Sequence, residues 1–206
     1  MDIQYPNLES AQTSRIYLEP LTLEKHLEDF HELWTSEEAV QWSTKLVMHN
    51  LEQTREFMPK TLNNEQNPEI DKFAIMLKDV PENTKAGIEV KNAKGEAKCI
   101  GITGTNRWSP QGMETGYCLN REYWGRGFAT EAFALFLKWY WTFPQRQNIK
   151  FLVAKTDPRN GASLRVLEKC GGRKGEIITL TPAWVKDGGT IEATCWYFDR
   201  PEFGAS

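Results

Sequence analysis

The sequence predicts a single α/β domain in which helices pack against one mixed, twisted β-sheet. Three observations support this prediction. Stretches with strand and helix periodicity follow one another in the order β-α-α-β-β-β-α-β-α-β-β, which gives about six to seven strands and about four helices. A strand meander followed by a β-α-β crossover is typical of a mixed sheet. The 206 residues contain no linker, repeat or low-complexity tract, so residues 1–206 form one domain with a core at about 15–198.

The N-terminal half begins with a strand and two amphipathic helices. Arg15–Leu21 alternates like a strand, and Thr22 caps a helix whose apolar residues share one face as far as Trp34. A second helix, Asn50–Leu62, is weakened by Pro59. Lys72–Leu77 reads as a strand, and the polar segment of about 78–98 is predicted to be a long exposed loop.

The C-terminal half supplies the rest of the sheet and two further helices. Cys99–Trp108 and Met113–Leu119 form a strand pair around a turn at Pro110 and Gly112. The remaining predicted elements are a helix from about Gly127 to Trp141, a strand Ile149–Lys155, a short helix ending at Gly171, and a closing hairpin that turns at Asp187–Gly189.

Composition excludes several classes of protein. A formal charge of −3 argues against a nucleic-acid binder with a broad basic surface. The polar start lacks the apolar segment of a secretory signal, and the most apolar stretch, Phe133–Phe143, is too short to span a bilayer. Four scattered cysteines without a CxxC pair favour reduced thiols over a zinc site. We therefore expect a cytoplasmic protein without a metal or a membrane anchor.

The stretch YWGRGFATEA, residues 123–132, places two glycines directly ahead of a helix. Glycine allows backbone to approach a ligand closely, and the unpaired N–H groups of a helix N-terminus favour a phosphate. A plain loop-to-helix turn explains the stretch equally well when it is taken alone. A P-loop is disfavoured because no Lys-Ser/Thr pair follows the second glycine, and a dinucleotide fingerprint would need glycine at Thr130.

Two blocks together, METGYCLNREYWGRGFATEAF and DPRNGASLRVLEKCGG, resemble the GNAT superfamily of acetyl-coenzyme A dependent N-acetyltransferases. The likeness is strongest to the branch that includes the bacterial ribosomal-protein N-terminal acetyltransferases, RimJ and RimL. The family pattern Gln/Arg-x-x-Gly-x-Gly/Ala falls on Trp124 to Ala129, with Trp in the first position, and Gly172 stands where the family usually has Phe. The resemblance implies that the chain binds acetyl-coenzyme A and acetylates an amine.

The resemblance also assigns roles along the predicted coenzyme site. The strand Met113–Leu119 is expected to splay from its neighbour and expose amides near Cys118 and Leu119 as donors to an oxyanion. Amides and side chains of the glycine motif would hold the pyrophosphate; they belong to Arg126, Gly127, Phe128, Ala129 and Thr130.

Asn160 and Ser163 begin a helix, so they either cap it or contact the coenzyme, and one residue can do both. By analogy with the family, Asn160 would bind the pantetheine and Ser163 would donate to the departing sulfur.

Glu114 is the candidate general base, because an alkyl ammonium with a pKa of about 10 must lose a proton before it attacks. Period-two alternation places it on the same side of the strand as Gly116 and Cys118. A water-mediated base and a structural ion pair with Lys or Arg both fit the sequence.

The acceptor is an amine whose identity the sequence leaves open, between a small amine and a protein N-terminus. Trp42 and Trp184 lie in segments that resemble the acceptor walls of the family, although core packing is the ordinary role of a Trp. The acidic balance favours a cationic acceptor, and solvated surface charge explains that balance equally well. A catalytically inactive coenzyme A binding or sensing module is the alternative function. The oligomeric state and the exact acyl group are not determined by the sequence.

Overall fold

Seven strands and six helices form the regular part of the chain in the computed structural model, which describes residues 5–43, 47–65, 67–181 and 189–201. The strands are β1 Ile16–Pro20, β2 Lys72–Leu77, β3 Cys99–Ser109, β4 Gly112–Leu119, β5 Phe151–Thr156, β6 Arg173–Leu180 and β7 Ile191–Asp199. The helices are α1 Leu23–Leu33, α2 Glu37–Val40, α3 Leu51–Phe57, α4 Pro81–Thr84, α5 Phe128–Tyr140 and α6 Gly161–Lys169.

All seven strands belong to one mixed sheet with the order β1-β2-β3-β4-β5-β7-β6. Neighbouring strands are antiparallel except for β4 and β5, which run parallel. The prediction of a single α/β domain with a mixed sheet is therefore confirmed.

Helices cover both faces of the sheet and divide the core in two. On one face, which we call the α5 face, α5 and α6 pack against the sheet around Phe73, Phe133 and Phe136. On the other, the α1 face, α1 and α3 pack around Phe30 and Met58. Strand β2, the second from one edge of the sheet, is buried along its whole length, because it has helices on both sides.

Most element bounds follow local signals in the sequence. Thr22 accepts a hydrogen bond from the Lys25 N–H at 3.4 Å and caps α1 as predicted. The predicted helix Asn50–Leu62 is shorter, because regular α-helix stops at Phe57 and a 3-10 turn carries Pro59. The closing hairpin is confirmed as the pair β6–β7, and its turn lies partly outside the described residues.

Two single-turn helices, α2 and α4, were not predicted. Helix α4 lies in the segment of about 78–98, which is mostly exposed but is anchored at Asn83, Ile88 and Val90. The amide of Asn83 is fully buried and donates to the carbonyls of Arg15 and Lys78, both at 2.9 Å. The segment of about 78–98 is therefore hydrogen-bonded to the residue that precedes β1.

Within the described ranges, every helix is either too short or too polar to cross a lipid bilayer.

Candidate functional site

The parallel strands β4 and β5 separate shortly after they meet. They pair only at Met113–Leu152 and Glu114–Val153, and beyond that point the end of β4 loses its neighbour. A cleft of about 810 Å³ opens in this gap. The cleft brings together most of the residues that the sequence singled out, namely Trp42, Glu114, Cys118, Leu119, Gly127, Phe128, Ala129, Thr130, Asn160 and Ser163.

The N-terminus of α5 lies at the end of this gap and has no side-chain cap. Its N-cap is Gly127, which has a left-handed φ of 82°, and Gly125 has a φ of 75°. The first helical N–H with an intrahelical partner is that of Glu131, which donates to the Gly127 carbonyl at 3.1 Å. By contrast, the side chains of Thr22, Asn50 and Asn160 cap α1, α3 and α6. The amides of residues 128–130 are therefore free to bind an anion.

Arg15 contacts residues 125–127, which we call the glycine loop, and the first turn of α5. Its guanidinium donates to the carboxylate of Glu131, with Nε to Oε2 at 2.9 Å, and to the carbonyl of Arg126 at 3.2 Å. It also stacks over the ring of Phe128, 4.5 Å from the centroid. Thr13 adds a second hydrogen bond to Glu131. Nothing in the sequence marked Arg15, because Glu131 and Arg126 lie 116 and 111 residues away along the chain.

Trp124 is half-exposed, yet its indole nitrogen donates to the carbonyl of Leu119 at 2.9 Å. Leu119 is the last residue of β4, where β5 no longer provides a partner. The indole thus satisfies a carbonyl that the splayed sheet leaves open. This contact explains the Trp at the first position of the glycine motif.

On the α5 face, Ser163 contacts both Asn160 and Tyr117. Asn160 Oδ1 accepts from the Ser163 N–H at 3.0 Å, so Asn160 caps α6. Ser163 Oγ accepts from the hydroxyl of Tyr117 at 3.1 Å. Burial raises the pKa of Tyr117 to about 12, so this hydroxyl keeps its proton at neutral pH. Tyr117 was not among the predicted site residues, because a Tyr within the predicted strand Met113–Leu119 is ordinarily a packing residue.

The two candidate oxyanion amides differ in direction. The N–H of Asn120 donates to the Ile100 carbonyl at 2.9 Å, toward β3. Since successive N–H groups on a strand point to opposite sides, the N–H of Cys118 also points to β3, whereas that of Leu119 points into the gap. The thiol of Cys118 is partly buried, and this burial raises its pKa to about 12, which disfavours a nucleophilic role.

Glu114 contacts two cations on the α1 face of the sheet. Its Oε1 lies 2.7 Å from Lys155 Nζ, and its Oε2 lies 3.2 Å from Arg107 Nε. The side chains of Glu114 and Lys155 are each 11% exposed, whereas that of Arg107 is 56% exposed. The sequence was compatible with Glu114 as a general base or as a member of a structural ion pair, and the structure shows the ion pair.

The remaining candidates lie at the edges of the cleft. Trp42 is 42% exposed and lines the α1 side of the cleft. Arg126 is exposed on the glycine loop, next to Gly127, which lines the cleft. Trp184 lies outside the described residues. Among the residues that the structure describes, no group of three His, Cys, Asp or Glu side chains is arranged to hold a metal ion.

Comparison with known proteins places this geometry in a family. Residues 15–173 match the model of the acetyltransferase (GNAT) domain. An uncharacterized N-acetyltransferase, p20, of Bacillus licheniformis is 26% identical over 169 residues, which cover 79% of this chain and 84% of p20.

Solved structures share the fold at low sequence identity. A GNAT-family acetyltransferase from Bacillus anthracis superposes with a TM-score of 0.65 at 17% identity, covering 92% of this chain and 98% of that one. RimL, a ribosomal L7/L12 alpha-N-protein acetyltransferase solved with coenzyme A, superposes with a TM-score of 0.64 at 17% identity, covering 91% and 95%.

Proposed function

Because the chain belongs to the GNAT acetyltransferase family, we propose that it moves an acetyl group from acetyl-coenzyme A to a primary amine by direct attack in a ternary complex. The observation that carries this proposal is the gap between β4 and β5, which leads straight to the uncapped N-terminus of α5. A gap with free strand amides suits the extended pantetheine, and an uncapped helix end suits the pyrophosphate.

The chain's own groups fit the coenzyme in two places. The amides of residues 128–130 and the exposed side chain of Arg126 would bind phosphate oxygens. The free amide hydrogens of Asn160 would bind a pantetheine carbonyl, since its Oδ1 is already used in capping α6. When bound, acetyl-coenzyme A supplies an activated acyl group on a thiol leaving group.

The groups that would assist the transfer lie on both sides of the gap. The N–H of Leu119 points to where negative charge develops on the acyl oxygen, an arrangement that contributes a few kcal/mol in other enzymes, about 3–4 by mutagenesis. Ser163 on the α5 face would donate a hydrogen bond to the departing sulfur, since its own hydroxyl hydrogen is not used in accepting from Tyr117. Glu114 on the α1 face would take the proton of the amine through a water molecule.

The acceptor would approach from the α1 face, past Trp42, and the predicted contact with Trp184 stays a prediction because that residue lies outside the described residues. RimL acts on a ribosomal protein. We retain membership of the RimJ and RimL branch, with a protein N-terminus as acceptor, as one hypothesis beside a small amine.

The first test measures acetyl-coenzyme A binding and coenzyme A release over a panel of amines and peptide N-termini. Gly125→Ala forces an L side chain into φ 75° where nothing lies within 4 Å of the added carbon, so it perturbs only the loop backbone. We expect this variant to lose most of its affinity for the coenzyme. Gly171→Ala is the matched control, because Gly171 has φ 80° in equally open space at the far end of α6.

Two outcomes would contradict the proposal. Absence of acetyl-coenzyme A binding would remove the function altogether. Tight binding without release of coenzyme A to any acceptor would favour a coenzyme A binding or sensing module, a reading supported by the fact that both oxygens of Glu114 already contact cations.

A second test separates the two roles of Glu114. If Glu114 is the base, Glu114→Gln lowers kcat by about a hundredfold or more and removes the corresponding limb of the pH profile. If it serves only the ion pair, turnover persists at all pH values and the variant loses stability to the same extent as Lys155→Met.

A further inference from the structure

The charge of the cleft is opposite to that of the chain. The chain has three more acidic than basic residues, whereas the described residues that line the cleft include six basic and only two acidic ones. Arg165 and Lys169 belong to α6, beside the proposed coenzyme site, where phosphates account for them. The other four line the side of the cleft from which the acceptor would come, namely Lys60, Lys72, Arg107 and Lys155.

A bulge in β3 directs two neighbouring residues into this part of the cleft. Thr105 pairs with Thr115 and Trp108 pairs with Met113, so Asn106 and Arg107 together oppose the single residue Glu114. A bulge breaks the alternation of side chains and re-aims them, and bulges are common beside active sites. Here Asn106 Oδ1 accepts from Lys72 Nζ, while Arg107 reaches Glu114.

Glu114 cannot neutralise the cations that surround it. Its one negative charge is shared between Lys155 and Arg107, so the three side chains in direct contact carry one net positive charge, with the exposed Glu176 of β6 also acting on Lys155. The recorded approach of Arg107 to Glu114 is through Nε, and among the described residues its two terminal nitrogens make no recorded hydrogen bond. These nitrogens belong to a half-exposed guanidinium at the cleft, a geometry suited to two parallel hydrogen bonds with a carboxylate or phosphate.

We propose that the acceptor carries an anionic group, a carboxylate or a phosphate, within a few bonds of its reactive amine, and that Arg107 binds that group with Lys72 and Lys155 nearby. This inference rests on the proposed acetyl transfer, whose acceptor it specifies. A purely cationic acceptor such as a polyamine would meet two cations paired with one carboxylate, with Lys72 lining the same cleft, and like charges placed together disfavour a partner. The local charge therefore points away from the cationic acceptor that the overall composition favoured.

The test compares acceptors that differ only in the anion. Phenylalanine is paired with 2-phenylethylamine, phosphoethanolamine with ethanolamine, and a peptide beginning Ala-Asp with one beginning Ala-Asn. Affinity for the complex of the protein with coenzyme A is measured by calorimetry, which does not require turnover, and kcat/KM is measured alongside. We expect the anionic member of at least one pair to bind about tenfold more tightly, and the pair that responds identifies the source of the anion.

Arg107→Gln should abolish this preference by weakening the anionic member alone. Arg121→Gln is the matched control: Arg121 is also 56% exposed and also forms an ion pair, with Glu38, but it does not line this cleft. Three results would overturn the inference. They are tighter binding of the members without the anion, equal or absent binding of both members in every pair, and an equal loss of affinity for both members in Arg107→Gln. Failure of the proposed function is distinguished by the absence of acetyl-coenzyme A binding or of coenzyme A release to any acceptor.

Discussion

The hydroxyl of Tyr117 on β4 donates a hydrogen bond of 3.1 Å to Ser163 Oγ on α6. With Ser163 Oγ accepting from Tyr117, the hydroxyl hydrogen of Ser163 is available to another acceptor. The contact joins the two walls of the gap in which the acyl group would lie.

Removal of this hydroxyl should therefore affect the chemical step more than binding. We expect Tyr117→Phe to lower kcat by about fivefold, the equivalent of one hydrogen bond of ~1 kcal/mol, with little change in the KM for acetyl-coenzyme A. Steady-state kinetics of Tyr117→Phe, Ser163→Ala and the double variant measure the coupling. Strictly additive effects would show that Tyr117 does not act through Ser163.

The indole of Trp124 should stabilise the end of β4. Trp124→Phe keeps a ring but loses the hydrogen bond to Leu119, so we expect a loss of about 1 kcal/mol in the free energy of unfolding and weaker binding of acetyl-coenzyme A. Trp108→Phe is the control, because that exposed indole donates to Glu69 at the opposite end of β4 from the glycine loop. Equal effects of the two variants on coenzyme affinity would refute the role of Trp124.

The pair formed by Arg15 and Glu131 should matter to coenzyme affinity, since Arg15 also binds the Arg126 carbonyl in the glycine loop. We expect Arg15→Met to raise the dissociation constant for acetyl-coenzyme A by about fivefold, or ~1 kcal/mol. Arg55→Met, which breaks an exposed pair with Glu52, provides the comparison. An unchanged dissociation constant in Arg15→Met would limit this residue to a role in folding.

A buried ion pair should dominate the stability of the α1 face. Lys98 Nζ lies 2.7 Å from Asp29 Oδ1, and both side chains are less than 10% exposed. Lys98→Met leaves the Asp29 charge buried, so we expect a loss of about 3 kcal/mol or more in denaturant unfolding. Lys94→Met removes an exposed pair with Glu28 and should cost less than about 1 kcal/mol. Similar losses in the two variants would contradict this assignment.

The four cysteines should be inert in the folded protein. Burial raises the pKa of Cys99 and Cys118 to about 12 and that of Cys170 and Cys195 to about 11. Since the thiolate is the reactive form, reaction with Ellman's reagent should be slow at pH 8, should accelerate as the pH rises toward 11, and should reach four equivalents on unfolding. A thiol that reacts at once at pH 8 would contradict the burial of at least one cysteine.

Local patterns in the sequence were sufficient for the elements and for the coenzyme loop. Period-two alternation located most strands to within about two residues, and Pro59 marked the end of regular helix near α3. The turn at Gly125 and Gly127 could be predicted because a left-handed backbone conformation favours glycine in any fold. These patterns reflect the conformational preferences of a residue and its immediate neighbours, so they can be recognised before the fold is known.

Only the tertiary structure decided how the site is held and charged. The contacts of Arg15 with Glu131 and of Tyr117 with Ser163 join residues 116 and 46 positions apart, and no periodicity encodes such a pairing. The bulge that aligns Arg107 with Glu114 depends on the register of two strands, which is set by packing on both faces of the sheet. For this reason the composition describes an acidic chain, whereas folding brings six basic and only two acidic of the described residues to one cleft, which is the ground on which we propose an anionic acceptor in place of a cationic one.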